Sequence, residues 1–203
     1  MDAPPPPDCA QATMNGPTLG HRIAVVGCPG AGKTTLARTL AERFRLTHVE
    51  LDSLFHGPDW TPSPPDDFRL AIETALDDAE STGGWVVCGN YGESSGGLHF
   101  DRADTIVWLD LSRFPVLRRV IGRTVRRAVH REELWNGNRE PMTNFTSWDP
   151  EKNVIRWAWV KHPVYRSRYS HATTKEWQHL AVHHLRTPDE VQRWLDAVDQ
   201  KPT

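Results

Sequence analysis

Gly27-Cys28-Pro29-Gly30-Ala31-Gly32-Lys33-Thr34 follows directly on the apolar run Arg22-Ile23-Ala24-Val25-Val26 and leads into a segment of helical periodicity. These eight residues satisfy G-x-x-x-x-G-K-[ST] at each fixed position, between a strand and a helix, where such a loop has to sit to work. The physics is local. Glycines let the backbone curl so that successive N–H groups face inward as an anion nest, and the following helix adds the positive end of its dipole. Gly27, Gly30, Ala31, Gly32, Lys33, Thr34 and Thr35 are therefore expected to hold a polyphosphate. Lys33 would reach the β- and γ-phosphates, and Thr34 would help hold Mg²⁺.

Outward from the loop, the spacing predicts strands at 22–26, 47–51, 85–88, 105–111 and 178–185. Helices are predicted at 33–44, 68–80, 113–131, 151–169 (interrupted or kinked near Pro163) and 188–198, the last with Thr187 as N-cap. Residues 55–65 read as a Gly/Pro/Trp loop, and 132–150 as a polar segment without periodicity. Short apolar strands alternating with helices imply an α/β fold, a parallel sheet covered on both faces. Phosphate-binding loops then gather at the carboxyl ends of the strands.

A net charge of −2 and a pI near 6.5 over 203 residues give no global attraction to nucleic acid or to anionic membranes, and neither is expected as a partner. No apolar run approaches the roughly 18 residues a membrane span needs. Residues 1–20, with Pro4 to Pro7 and polar surroundings, are expected to be a disordered extension ahead of a kinase-like domain at 21–203. Cys9, Cys28 and Cys88 form neither a disulfide framework nor a metal-spaced set, which suits a reducing cytoplasm. The ten histidines fall in no metal-binding pattern and read as structural; six of the nine tryptophans lie beyond residue 130.

The strongest local charge is in 113–131: Arg113, Arg118, Arg119, Arg123, Arg126, Arg127 and Arg131, with no acid among them. Leu117, Val120, Ile121, Thr124, Val125 and Ala128 are expected to form the buried stripe, leaving Arg119, Arg123 and Arg127 on the polar face. A charge run is usually a solvated face. Beside a polyphosphate, these three arginines are instead expected to clamp the transferred group. Asp52, just past the second strand, is placed to order Mg²⁺ waters or to take a proton from a substrate hydroxyl. Asn90 and Tyr91 fall at the same carboxyl-end layer and are expected to contact substrate, as is Trp60. Asp110 ends another strand and reads equally well as the start of a turn.

Together with the phosphate loop, several stretches carry a resemblance: Val49-Glu50-Leu51-Asp52, Gly57-Pro58-Asp59-Trp60-Thr61-Pro62, Gly89-Asn90-Tyr91, the arginine helix and Leu134-Trp135-Asn136-Gly137-Asn138-Arg139-Glu140-Pro141. Over residues 22–195 the chain resembles the adenylate-kinase-like P-loop proteins often labelled topology modulation proteins. The resemblance implies a P-loop NTPase fold of nucleoside-monophosphate-kinase type, with a five-stranded parallel sheet and a small lid at about 131–150. It implies ATP and Mg²⁺, an unidentified small-molecule acceptor, Arg119 and Arg123 on the phosphates, and Arg156, with Arg166 and Arg168, approaching from the far side. Arg186, Thr187 and Pro188 would lie against the adenine. One departure stands out: such relatives usually carry an aspartate before Gly-Asn-Tyr, where this chain has Cys88, a poor partner for a hard cation. Two readings follow, an ATP-dependent kinase and an ATP-binding regulatory or assembly protein with slow hydrolysis. A GTPase lacks support, because Thr174-Lys175-Glu176-Trp177 misses the final aspartate of a guanine-reading element.

Overall fold

Ile23 and Val25 point to one face of their strand and Ala24 and Val26 to the other, yet all four are buried, so the strand lies between two helical layers. The computed structural model describes residues 18–140, 147–149 and 153–200. Its elements, in order, are β1 (Thr18–Leu19), β2 (Arg22–Gly27), α1 (Lys33–Phe44), β3 (Thr47–Glu50), α2 (Leu51–Phe55), α3 (Pro65–Ser81) and β4 (Trp85–Cys88). Then follow α4 (Leu98–Asp101), β5 (Thr105–Leu109), α5 (Arg113–His130), α6 (Val154–Lys175), β6 (Ala181–Leu185), α7 (Pro188–Ala197) and β7 (Asp199–Gln200). Five strands make an all-parallel sheet in the order β3-β4-β2-β5-β6.

One face of the sheet packs Leu36, Ala37 and Leu40 of α1 and Trp194 of α7 against Ile23, Val25, Val86 and Val107. The opposite face packs Phe68, Ile72 and Leu76 of α3 and Tyr169 and Ala172 of α6 against Val26, Val87, Ile106 and Trp108. Side chains such as Leu40, Phe68 and Ile72, fully buried, each contribute roughly 1.5–3 kcal/mol. The chain leaves central β2 for the edge strand β3, returns to β4, and crosses to β5 on β2's other side. This reversal leaves a crevice beyond the carboxyl end of β2, the usual ligand position in open α/β sheets. The loop at 27–34 opens there.

Several expectations need correction. Residues 18–20 belong to the fold: Leu19 is fully buried and β1 pairs in parallel with β7, while residues 1–17 lie outside the described residues. The second strand stops at Glu50 and Leu51 starts a helix, so Asp52 stands in a first helical turn. α6 is one helix through Pro163 and extends to Lys175, its start capped by Asn153 Oδ1, which accepts from Ile155 N and Arg156 N at 3.1 Å each. In α5 the buried row is Val116, Val120 and Thr124, an i, i+4, i+8 line, whereas Ile121 and Val125 are 44% exposed. That row packs where α5 meets the 27–34 loop at Gly30. Of the expected lid, 131–140 and 147–149 are described, and 141–146 (Pro141 included) and 150 are not.

Candidate phosphate-binding site

Gly30 and Gly32 sit at φ +86° and +103°, backbone states that favour glycine. Gly30 also has no room for a side chain: a Cβ would lie 2.4 Å from Val120 Cγ2 and 2.8 Å from Val116 O. Turning at these two residues, the loop closes with Ala31 N donating to Cys28 O at 3.0 Å and passes into the 12-residue α1. Lys33, at the head of that helix, folds back and donates from Nζ to Gly27 O at 2.9 Å and Cys28 O at 3.4 Å. Burial lowers the Lys33 pKa; Asp52, Cys88 and Cys28 oppose the shift and Arg123 adds to it. Asn90 braces the loop from β4: its Nδ2 donates to Gly27 O at 2.9 Å, and its Oδ1 accepts from Tyr169 Oη at 2.9 Å. Both ends of that amide are thus engaged inside the protein, joining the loop to α6.

Thr34 points toward the end of β3. Its hydroxyl donates to Glu50 Oε1 at 3.1 Å, and Glu50 Oε2 lies 3.5 Å from Arg38 Nη2. Glu50 and Cys88 are register partners on neighbouring strands. The Cys88 thiol lies 3.8 Å from Thr34 Oγ1 and 3.3 Å from His48 Nε2. Burial and the nearby Glu50 push that thiol up to about 12, so it is neutral at pH 7. Asp52, expected beside Thr34 on a cation, instead accepts a 2.6 Å hydrogen bond from Tyr91 Oη through Oδ1. The same phenol lies 3.2 Å from His56 Nε2, and burial lowers the His56 pKa against the opposing pull of Asp52. Because Tyr91 gives its proton to Asp52, its oxygen is left to accept from His56 Nε2.

Arg119 reaches the loop, donating from Nη1 to Ala31 O at 3.2 Å. Arg123 Nε is buried without a hydrogen-bond partner among the described residues. Burial and then Arg127 lower the Arg123 pKa, while Glu140, Asp52 and Glu50 act against this. An under-compensated guanidinium beside Lys33 is the electrostatic condition that a bound anion relieves. Arg127 Nη1 donates to Glu140 Oε1 at 3.3 Å and its Nε lies 3.8 Å from Glu132 Oε2, so it ties 132–140 to α5. Arg156 stacks on Trp148, 4.0 Å from the ring centroid. Arg166 and His184 pair with Asp110 Oδ2 at 3.3 and 3.0 Å, and Arg168 pairs with Glu93 at 3.2 Å. None of these contacts is to the loop. Thr187 caps α7, with Arg186 and Pro188 exposed beside it and Arg186 N donating to Glu190 Oε2 at 2.6 Å.

Two tight turns face each other above Asp52. Pro58-Asp59-Trp60-Thr61 and Trp135-Asn136-Gly137-Asn138 both carry positive φ at their two central residues (+55° and +59°; +56° and +79°), as in type I′ turns. Asn136 Nδ2 donates to Ser53 O at 3.1 Å and His56 O at 2.6 Å. Asn138, 5% exposed, donates to Gly57 O and Trp135 O and accepts from Trp60 N, each at 2.9 Å. Trp60 Nε1 donates to Arg139 O at 3.1 Å, and His56 stacks on Trp135 at 6.3 Å. Trp60 thus serves as the docking surface for 135–139, held in a conformation unusual for a bulky residue. Glu50, His56, Asn136 and Asn138 were not singled out from sequence. The Asn-Gly pair was a turn signal, and period-two spacing puts Glu50 and His48 on one side of β3.

Among the described residues, no group of three or more His, Cys, Asp or Glu side chains is placed to hold a metal ion, and no helix is long and apolar enough to cross a membrane. No protein-family model and no curated protein sequence matches this chain.

Proposed function

We propose that the chain is an ATP-dependent phosphotransferase of the adenylate-kinase-like P-loop type, moving the γ-phosphoryl group to a small-molecule hydroxyl or phosphate acceptor. The observation that carries this reading is the convergence of Lys33, Arg119 and the unpaired Nε of Arg123 on a glycine-built loop at the sheet's reversal point. A polyphosphate supplies the charge these groups lack and accepts from the N–H groups of the loop. Thr34 and Glu50 offer the hard oxygen donors that suit Mg²⁺, which neutralises charge on the transferred phosphoryl. Asp52 and Tyr91, under the docked turn at 135–138, then face the acceptor: the carboxylate takes the acceptor proton and Tyr91 orients it. The docked turn excludes water, which favours transfer over hydrolysis.

A second reading is an ATP-dependent switch with slow hydrolysis. The exposed apolar line Phe114, Ile121, Val125 and Val129 along α5, the helix that touches the loop, supports it. Following ADP formation with ATP or GTP against a panel of nucleoside monophosphates and small hydroxyl acceptors separates the two. A kinase shows strong stimulation by one acceptor class. A rate unchanged by any acceptor favours the switch, and no binding of either nucleotide overturns both.

A further inference from the structure

We propose that Glu50, at the end of β3, supplies the cation-supporting carboxylate that the end of β4 lacks. This rests on the reading of 27–34 as a nucleotide-phosphate loop, and it reassigns the cation role expected of Asp52.

Three acidic side chains stand at the carboxyl ends of the strands near the loop, and their contacts separate them. Asp110 is engaged by Arg166 and His184 and faces β6. Asp52 holds the Tyr91 phenol at 2.6 Å and belongs to the acceptor side. Glu50 alone of the three is in hydrogen-bond contact with Thr34, the loop's hydroxyl ligand. The direction of that bond matters. Thr34 Oγ1 gives its proton to Glu50 Oε1, so the lone pairs of the hydroxyl are directed elsewhere and its oxygen carries more negative charge, as a ligand to a hard cation requires.

The register explains how the substitution works. Glu50 is the register partner of Cys88, so a longer side chain on the neighbouring strand reaches the same place from the next position in the sheet. The Cys88 thiol, neutral and 3.8 Å from Thr34 Oγ1, fills the space without adding charge, and His48 Nε2 covers its other side at 3.3 Å. Glu50 keeps 13% side-chain exposure, enough to order water around a cation held mainly by phosphate and Thr34. Arg38, 3.5 Å from the other carboxylate oxygen and 61% exposed, keeps Glu50 oriented when no cation is there.

The test is calorimetric binding of ADP with Mg²⁺ and with EDTA, to the full chain and to Glu50→Gln, Cys88→Asp and the double variant. Outer-shell partners of a metal are worth about 10–100-fold in its affinity. Glu50→Gln should lose at least about tenfold of the Mg²⁺ enhancement while its ADP affinity in EDTA stays within about threefold. Cys88→Asp placed in that background should restore the enhancement. In the wild-type background it should add little, since a carboxylate already stands there. Full Mg²⁺ enhancement in Glu50→Gln overturns the assignment and leaves the phosphate-loop reading intact. Equal losses with Mg²⁺ and with EDTA also overturn it, making Glu50 a structural support of the loop. Failure of the wild-type chain to bind ADP at all overturns the phosphate-loop reading and this inference with it.

Discussion

Replacing Asn138 by alanine tests whether the two tight turns are held together by one side chain. Its amide makes three contacts at 2.9 Å: Nδ2 to Gly57 O, Nδ2 to Trp135 O, and Oδ1 from Trp60 N. The bond to Trp135 O lies within the 135–138 turn and is lost from docked and undocked states alike, so at about 1 kcal/mol net for each of the two bonds that cross between the turns the docked state loses roughly 2 kcal/mol, about a 30-fold shift toward the undocked state. The freed Gly57 carbonyl and Trp60 amide gain water on opening, so no further desolvation penalty accrues. The readout is amide hydrogen exchange. The Trp60 amide is protected through Asn138, so its exchange should quicken by about 30-fold while amides of β2 keep their rates. Asn138→Asp, nearly the same size, should open the turns as well, because its second oxygen faces two carbonyls in place of the donating nitrogen. Wild-type protection of Trp60 in either variant would refute the reasoning: it would mean that aromatic packing among His56, Trp60 and Trp135 holds the turns unaided.

Three further outcomes are expected. Lys33→Ala should abolish polyphosphate binding, measured by calorimetry, with the circular dichroism spectrum unchanged, since the ammonium's hydrogen bonds among the described residues are to two carbonyls of the loop itself; wild-type ATP affinity would remove Lys33 from the site. Gly30→Ala should destabilise the chain by roughly 2–4 kcal/mol in urea, because its Cβ meets Val120 Cγ2 at 2.4 Å and the backbone sits at φ +86°; an unchanged midpoint would show that α5 yields without cost. Burial lowers the His99 pKa to about 3, below the ordinary value of 6.5, so the unfolded chain takes up the proton first as pH falls. Stability carried by that neutral ring is complete above pH 6.5 and is lost as pH drops from there toward 3, about 2 kcal/mol of it by pH 5. His99→Gln should flatten the stability profile between pH 6.5 and 5 by that amount, and an identical slope would refute it.

The fold was legible because its signals are periodic. Strand, glycine-rich loop and helix at 22–44 read directly, and so did the parallel sheet, since the apolar runs are short and buried on both faces. What periodicity cannot deliver is contact between distant segments. The pairing of β1 with β7 involves two residues from each end, too few to leave a pattern, and Leu19 joins the core through position alone. The buried row of α5 was misjudged for a similar reason. Ile121 and Val125 are as apolar as Val116 and Val120, and only the place where the helix meets Gly30 selects one row over the other.

The site divides along the same line. The loop's backbone follows its own sequence, with Gly30 and Gly32 at positive φ and Lys33 heading α1, and Arg119 reaches Ala31 O because α5 starts one loop beyond β5. Contacts that depend on which strand neighbours which are not readable from local spacing. Asp52 and Glu50 are two apart in sequence, but the strand ends between them: Glu50 remains in register with Cys88 and meets Thr34, while Asp52 turns with α2 toward Tyr91. That one boundary separates the two carboxylates into distinct surroundings, one beside the loop hydroxyl and one beside a phenol and an imidazole. Under the proposed phosphotransferase reading the first would support a cation and the second would take the acceptor's proton. The docked turn at 135–138 packs on α2, the Asp52 side, where Asn136 donates to Ser53 O and His56 O.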